Sequence, residues 1–86
     1  MKQIIKRWDN NEVIYECEAE TLKEAVEKAV KEKISLKFAD LSSADLHSAD
    51  LTFAYLRSAY LRFAYLRSAD LRNTKLDNVN ISGAIF

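Results

Sequence analysis

Residues Phe53–Arg72 read FAYLRSAYLRFAYLRSADLR, one five-residue phrase written four times with small changes. The phrase extends in both directions. Leucine stands at 36, 41, 46, 51, 56, 61, 66, 71 and 76, and Ile81 and Phe86 keep the phase. From Leu41 onward a small residue sits two places earlier: alanine at 39, 44, 49, 54, 59, 64 and 69, then Thr74, Val79 and Ala84. A period of five fits neither regular structure. On an α-helix each step of five turns the leucine about 140° past a full turn, which scatters the leucines around the cylinder. In a flat strand each odd step sends the leucine to the opposite face. The pattern is satisfied if each unit is a short extended piece followed by a bend. The alanine and leucine then point inward together, and the bend turns the next pair inward as well. Such a chain coils around its own leucines, the architecture that short internal repeats predict.

The first third of the chain follows a different rule. Lys2–Trp8 and Glu12–Glu18 are rich in β-branched and aromatic residues, and Asp9-Asn10-Asn11 between them tolerate left-handed turn geometry, so a β-hairpin is expected. Thr21-Leu22-Lys23-Glu24 matches a capping box. Leu22, Ala25, Val26, Ala29 and Val30 then recur at helical spacing, with charged residues on the other side, so residues 22–33 predict an amphipathic helix of about three turns. A helix this short needs an apolar surface to lie on. The expected organisation is a hairpin plus capping helix over 1–33 and the repeats over 34–86, in one compact unit.

Composition narrows the functional classes. Thirteen basic and thirteen acidic side chains balance among 86 residues, which argues against a general polyanion binder. The single cysteine, Cys17, cannot form an internal disulfide, and no apolar run reaches the length of a signal peptide or membrane span, so a soluble cytoplasmic protein without membrane contact is expected. Cys17 shares one hairpin face with Val13 and Tyr15 and reads as a small buried hydrophobe. Trp8 is expected to anchor the hairpin. His47 is the sole histidine and has no second ligand at metal-binding spacing, and no phosphate loop, nucleophile elbow or catalytic triad is legible. These features point to no enzyme, no cofactor and no metal.

The stretch ADLSSADLHSADLTFA, residues 39–54, resembles the pentapeptide-repeat family, whose consensus is roughly Ala-(Asp/Asn)-Leu-X-X, and the resemblance runs over residues 34–86. The hairpin and helix resemble the leader of small bacterial and phage members. The family's fold is a right-handed quadrilateral β-helix with twenty residues per coil, which implies a mainly β protein of about 2.5 coils capped by the hairpin and helix. Residues twenty apart then share a column, Leu36 with Leu56 and Leu76, for example. The outward positions before each leucine read Asp40, Asp45, Asp50, Tyr55, Tyr60, Tyr65, Asp70, Lys75, Asn80, and those after it include Arg57, Arg62, Arg67 and Arg72. One coil therefore carries a belt of three tyrosines and four arginines, residue types that protein interfaces favour. The belt is equally compatible with ordinary solvated β surface. A block of Tyr flanked by Asp is also what deliberate display of tyrosines on an engineered scaffold, or duplication of FAYLRSAYLR, would leave.

The expected role is a non-catalytic structural or interaction module. The family's best-known activity, mimicry of DNA toward DNA gyrase, requires a negative surface, whereas residues 34–86 carry six basic and five acidic groups, a net of +1. Nucleic-acid binding through the belt is disfavoured because its arginines fall on four different sides of a coil. With Phe86 at a core position, Val79, Ile81, Ala84, Ile85 and Phe86 are expected to form a homodimer interface, the arrangement that family members use. An unidentified protein partner for the belt is the other expectation.

Overall fold

Every fifth residue from Lys33 to Asn78, that is 33, 38, 43, 48, 53, 58, 63, 68, 73 and 78, has a positive φ between 57° and 64°, and Gly83 follows at 72°. This is the bend that the leucine period demands. The computed structural model describes all of residues 1–86, and in it a backbone bond closes each bend, as from the Ala39 amide to the Leu36 carbonyl at 3.0 Å. A four-residue turn with a left-handed residue only at its third position is a type II turn. Between bends the backbone is extended and pairs with the copy of itself twenty residues on. Parallel bridges join Asp40 to Tyr60, Asp45 to Tyr65, Asp50 to Asp70, Tyr55 to Lys75, Tyr60 to Asn80 and Tyr65 to Ile85. The main chain therefore returns beside itself after four bends, each stretch pairing with the one twenty residues on.

The inward side chains fill the space those coils enclose. Leu36, Leu41, Leu46, Leu51, Leu56, Leu61 and Leu66 are all at most 2% exposed, and Ala39 to Ala64 are buried beside them. No charged or polar residue is buried, so the core is held by apolar burial and by the backbone ladder. A small residue suits the inward position next to each bend, where alanine fills the space beside its leucine neighbour through Ala69.

The only regular strands are β1 (Lys2–Lys6) and β2 (Val13–Glu18), an antiparallel hairpin with a bulge between Ile5 and Lys6. Both are shorter than their β-rich sequence suggests, because residues 7–12 are used in the turn. The Arg7 amide donates to Glu12 O, the Asn11 amide to Arg7 O, and the Glu12 amide to the Asn10 side chain. Past the strand the chain pairs with the first coil: the Trp8 amide donates to Phe38 O at 2.9 Å and the Asp40 amide to Lys6 O at 2.7 Å.

The helix, α1, spans Leu22–Lys31 rather than 22–33. Thr21 caps it by accepting from the Glu24 amide, while the Glu24 carboxylate accepts from the Glu20 amide, one residue upstream of the capping-box position. It stops because Lys33 is left-handed. The Lys33 amide bonds Val30 O and the Ile34 amide bonds Ala29 O, a Schellman closure. Lys33 is also the first residue of the five-residue series of bends, so the end of the helix starts the winding in phase. Ala25, Val26 and Ala29 are fully buried, and Val26 and Ala29 share one apolar cluster with Ile5 and the inward leucines. The helix is not long and apolar enough to cross a membrane.

Cys17 differs from its expected burial: it is half-exposed, and Val13 on the same face is 51% exposed. The hairpin meets the core through Ile5, its cross-strand neighbour Tyr15, and Ile14. Desolvation there, with Glu32 and Cys17 nearby, pushes the Tyr15 hydroxyl up to about 12.

Three of the left-handed bends hold phenylalanine, at 38, 53 and 63. A bulky side chain in this region costs roughly 1–2 kcal/mol per residue, whereas Asn73, Asn78 and Gly83 occupy it readily. The Phe38 ring has neighbours that offset the strain: Trp8 at 6.1 Å, with Arg7 and Lys37 over its face at 4.5 and 5.2 Å. Phe63 lies on Gly83, where a Cβ would collide with the ring, and has Arg62 at 5.8 Å.

Candidate functional site: the outward belt and the last coil

The outward position before each leucine carries a repeated hydrogen bond. Asp40, Asp45, Asp50, Asp70 and Asn80 each accept from the amide two residues on, those of Ser42, His47, Thr52, Arg72 and Ser82, at 3.0–3.3 Å. This Asx turn is the physical reason for Asp or Asn at that place, since it satisfies the amide that enters the bend. Further donors reinforce several of them. His47 and its amide hold the Asp45 carboxyl below its ordinary 3.8, Thr52 does the same for Asp50, and Arg72 for Asp70. The Arg72 guanidinium reaches both oxygens of Asp70, at 2.9 and 2.7 Å, beside the neighbouring Asp50 column position.

Tyr55, Tyr60 and Tyr65 give up that bond, because a phenol cannot reach the amide two residues on. Each gains something different. Tyr60 stacks on Trp8 with centroids 4.3 Å apart and planes 4° from parallel, and Arg62 stands 5.9 Å from its ring. Tyr55 has Arg57 at 5.5 Å. Tyr65 is 37% exposed, and the His47 ring lies tilted 6.1 Å from its own. The three tyrosines thus occupy three columns, one beside the hairpin, one beside the helix and one open to solvent. The sequence shows the belt but not this division, because Trp8 is 52 positions from Tyr60.

The difference predicts a stability contrast. Tyr65→Asn regains an Asx bond of the kind Asn80 makes and is expected to leave stability unchanged or raise it by up to about 1 kcal/mol. Tyr60→Asn regains the same bond but loses the indole stack, so it should cost roughly 1 kcal/mol relative to Tyr65→Asn. Urea unfolding of the two variants measures the difference, and equal midpoints would remove the special role of Tyr60.

The arginines do not act together. Arg57 approaches Asp77 in the next coil at 3.2 Å, its Nε shielded from solvent yet out of hydrogen-bond alignment, and Arg72 pairs with Asp70. Arg62 and Arg67 have no carboxylate partner. Such exposed pairs contribute little stability, and their placement on successive sides of one coil forms no continuous basic track.

The last coil is the other place where the surface departs from a solvated one. The inward leucines are sealed through Leu66, after which exposure climbs to 40% at Leu76, 49% at Ile81 and 62% at Phe86. Val79 and Ala84 are half-covered and pack against the core cluster from below. Ile85 belongs elsewhere. It bridges to Tyr65 and occupies the outward column of Asp45 and Tyr65, 51% exposed, rather than the apolar floor. The backbone is unfinished on the same side. The amides of Leu36 to Leu66 at the leucine positions all donate to the following coil, whereas those of Leu71, Leu76, Ile81 and Phe86 donate to no backbone group.

Extended pieces joined by left-handed bends, with a leucine inward in each and an Asx bond outward, define a structural repeat module. Residues 54–86 match the family model described as pentapeptide repeats, in eight copies. The repeat segment 54–86 is therefore similar to the pentapeptide-repeat family. Repeats of this kind imply a β-helical solenoid. Comparison with the curated proteins finds no match, and comparison with the solved structures finds none either.

Proposed function

We propose that the repeats form a right-handed quadrilateral β-helix of about two and a half coils, residues 34–86, sealed at one end by the 1–33 hairpin and helix. On this reading the protein is a non-catalytic interaction module that associates with itself through its final coil. The observation that carries the proposal is the loss of cover after Leu66. Leu76, Ile81 and Phe86 form an apolar floor, and the backbone donors along its edge are free. A floor of this kind, bordered by unpaired extended backbone, favours pairing with a matching surface. A second copy turned through a two-fold axis supplies one, since the same patch serves on both sides. Continuation of the repeat in a longer polypeptide would cover the same face in cis, so the prediction concerns the 86-residue chain.

At tens of micromolar the chain is expected to scatter light as a particle of twice its 9.9 kDa. Phe86→Asp and Ile81→Asp each place a charge on the floor and are expected to give monomers, with the far-UV circular dichroism unchanged. Ile85→Asp lies on the outer column and should remain dimeric. A monomeric wild type would overturn the proposal, and so would a dimer that survives both floor substitutions.

A further inference from the structure

The open end of the repeats carries backbone acceptors as well as donors, in a fixed order. On each side of the last coil an outward residue, Asp70, Lys75, Asn80 or Ile85, has a free carbonyl before it and a free amide after it. The carbonyls of Ala69, Thr74, Val79 and Ala84 accept from no group in the chain, and the amides of Leu71, Leu76, Ile81 and Phe86 donate to none. Higher up, the same two groups bond the following coil: Ala39 O accepts from the Tyr60 amide at 2.8 Å, and the Leu41 amide donates to Tyr60 O at 2.9 Å. At the other end the hairpin and helix interrupt the edge, where the Asp40 amide is taken by Lys6 O and the Asp50 amide by the Glu27 carboxylate. Head-to-tail stacking of copies is therefore blocked, and last coil against last coil remains.

Two last coils brought face to face by a two-fold axis run antiparallel across the contact. In an antiparallel ladder, two opposed residues that do not bond each other are bracketed by two bonds. Each runs from the amide after one residue to the carbonyl before the other. A free carbonyl before and a free amide after is that pattern, and it is self-complementary. The backbone thus lets any side of the last coil meet any side of a second copy, and the side chains must choose between the possible axes.

One axis sets Asp70 against the partner's Asp70, and a second sets Lys75 against the partner's Lys75. A third sets Asp70 against Ile85 and Lys75 against Asn80. The fourth sets Asp70 of each copy against Lys75 of the other, and Asn80 against Ile85. Like charges directly opposed destabilise a strand pair and opposite charges stabilise it, so the fourth is favoured. The charged residues next in line, Arg72 and Asp77, there face the partner's neutral Asn73 and Ser68. Lys75 has no carboxylate within 4.0 Å in its own chain, while Asp70 keeps Arg72.

We propose that the dimer forms about this fourth axis, its last coils joined by an antiparallel backbone ladder in which Asp70 of each copy faces Lys75 of the other. This rests on the self-association reading and specifies its register. The axis passes between Arg72 and Asn73, so Asn73 lies beside its own copy, whereas the two Asn78 residues lie at opposite corners.

Sedimentation equilibrium of the 86-residue chain tests the pairing. Lys75→Asp and Asp70→Lys each turn both cross-pairs into like charges and are expected to weaken the dimer about tenfold. Combining Asp70→Lys with Lys75→Asp exchanges the partners and should bring the dimer constant back near wild type. Lysine already stands at this place in the repeat at residue 75, so Asp70→Lys is expected to keep the fold, which far-UV circular dichroism checks. Independently of charge, Asn73→Cys in a Cys17→Ser background should cross-link the copies on mild oxidation, and Asn78→Cys should not. A monomeric wild type would overturn self-association and this register together. The register alone is overturned by a wild-type dimer that Phe86→Asp abolishes but both single charge reversals leave intact. It is equally overturned if the combined reversal weakens the dimer further, or if Asn78→Cys cross-links in place of Asn73→Cys.

Discussion

Leu61→Ala is expected to lower the free energy of unfolding by about 2–5 kcal/mol, the range for a fully buried leucine whose cavity cannot collapse. Leu61 is 1% exposed and lies between two coils that cannot close over a void. Above it the Leu41 amide bonds Tyr60 O at 2.9 Å, and the Tyr60 amide bonds Ala39 O at 2.8 Å. Below it the Leu61 amide bonds Asn80 O at 2.8 Å. These bonds fix the spacing between coils near the interstrand distance of about 4.8 Å, so the surrounding side chains cannot move inward without breaking the ladder. In an 86-residue chain the loss is a large part of the total stability. Leu76→Ala supplies the internal comparison. That leucine holds the corresponding place in its own repeat, three repeats later and in the column of Leu36 and Leu56, but is already 40% exposed, and its truncation should cost less than half as much in the monomeric Phe86→Asp background. Thermal unfolding followed by circular dichroism reads both. Equal losses would mean that the inward column is not graded by cover, contrary to the picture of coils stacked on one another.

The inward column was legible because a leucine at every fifth position has no other economical arrangement, and the alanines followed from the same count. The bends were legible as bends but not as left-handed residues, since Phe38, Phe53 and Phe63 are side chains that propensity assigns to strands. What fixes them is the ladder on either side, which leaves one conformation that brings the next leucine inward. Lys33 shows the same effect. Helical periodicity carries on to residue 33, yet that residue must be left-handed to place Leu36 inward, so the helix gives way at Lys31. The outward belt was legible as a list and not as a site. Asp at the position before leucine hides its role until the amide two residues on is seen to point back at it. The separate fates of Tyr55, Tyr60 and Tyr65 depend on where a hairpin and helix from the other end of the chain come to lie.

Trp8→Ala is expected to cost roughly 2–3 kcal/mol, far more than its position at the edge of a surface hairpin would suggest. Three contacts are lost together. The indole Nε1 donates to Ser58 O at 2.6 Å, a part-buried bond whose loss leaves a carbonyl without its donor and removes about 1 kcal/mol. The parallel stack on Tyr60 contributes about 0.5–1.5 kcal/mol beyond the area it covers. The indole also covers one side of the Phe38 ring, which then keeps its left-handed strain with only Arg7 and Lys37 to offset it. These contacts join residue 8 to two successive coils, at Phe38 in the first and at Ser58 and Tyr60 in the second, so the indole spans the step between them. Its removal should therefore loosen more than the hairpin. Hydrogen exchange is expected to accelerate at the Tyr60 and Asp40 amides, which bond Ala39 O and Lys6 O, while the Asp70 amide, bonded to Ala49 O on another side of the coil, keeps its protection relative to global stability. Trp8→Phe retains a ring for Tyr60 but not the donor for Ser58 O, and should recover about half of the loss. If Trp8→Ala unfolds at the wild-type midpoint, the hairpin is an appendage and the first coil holds its shape without it.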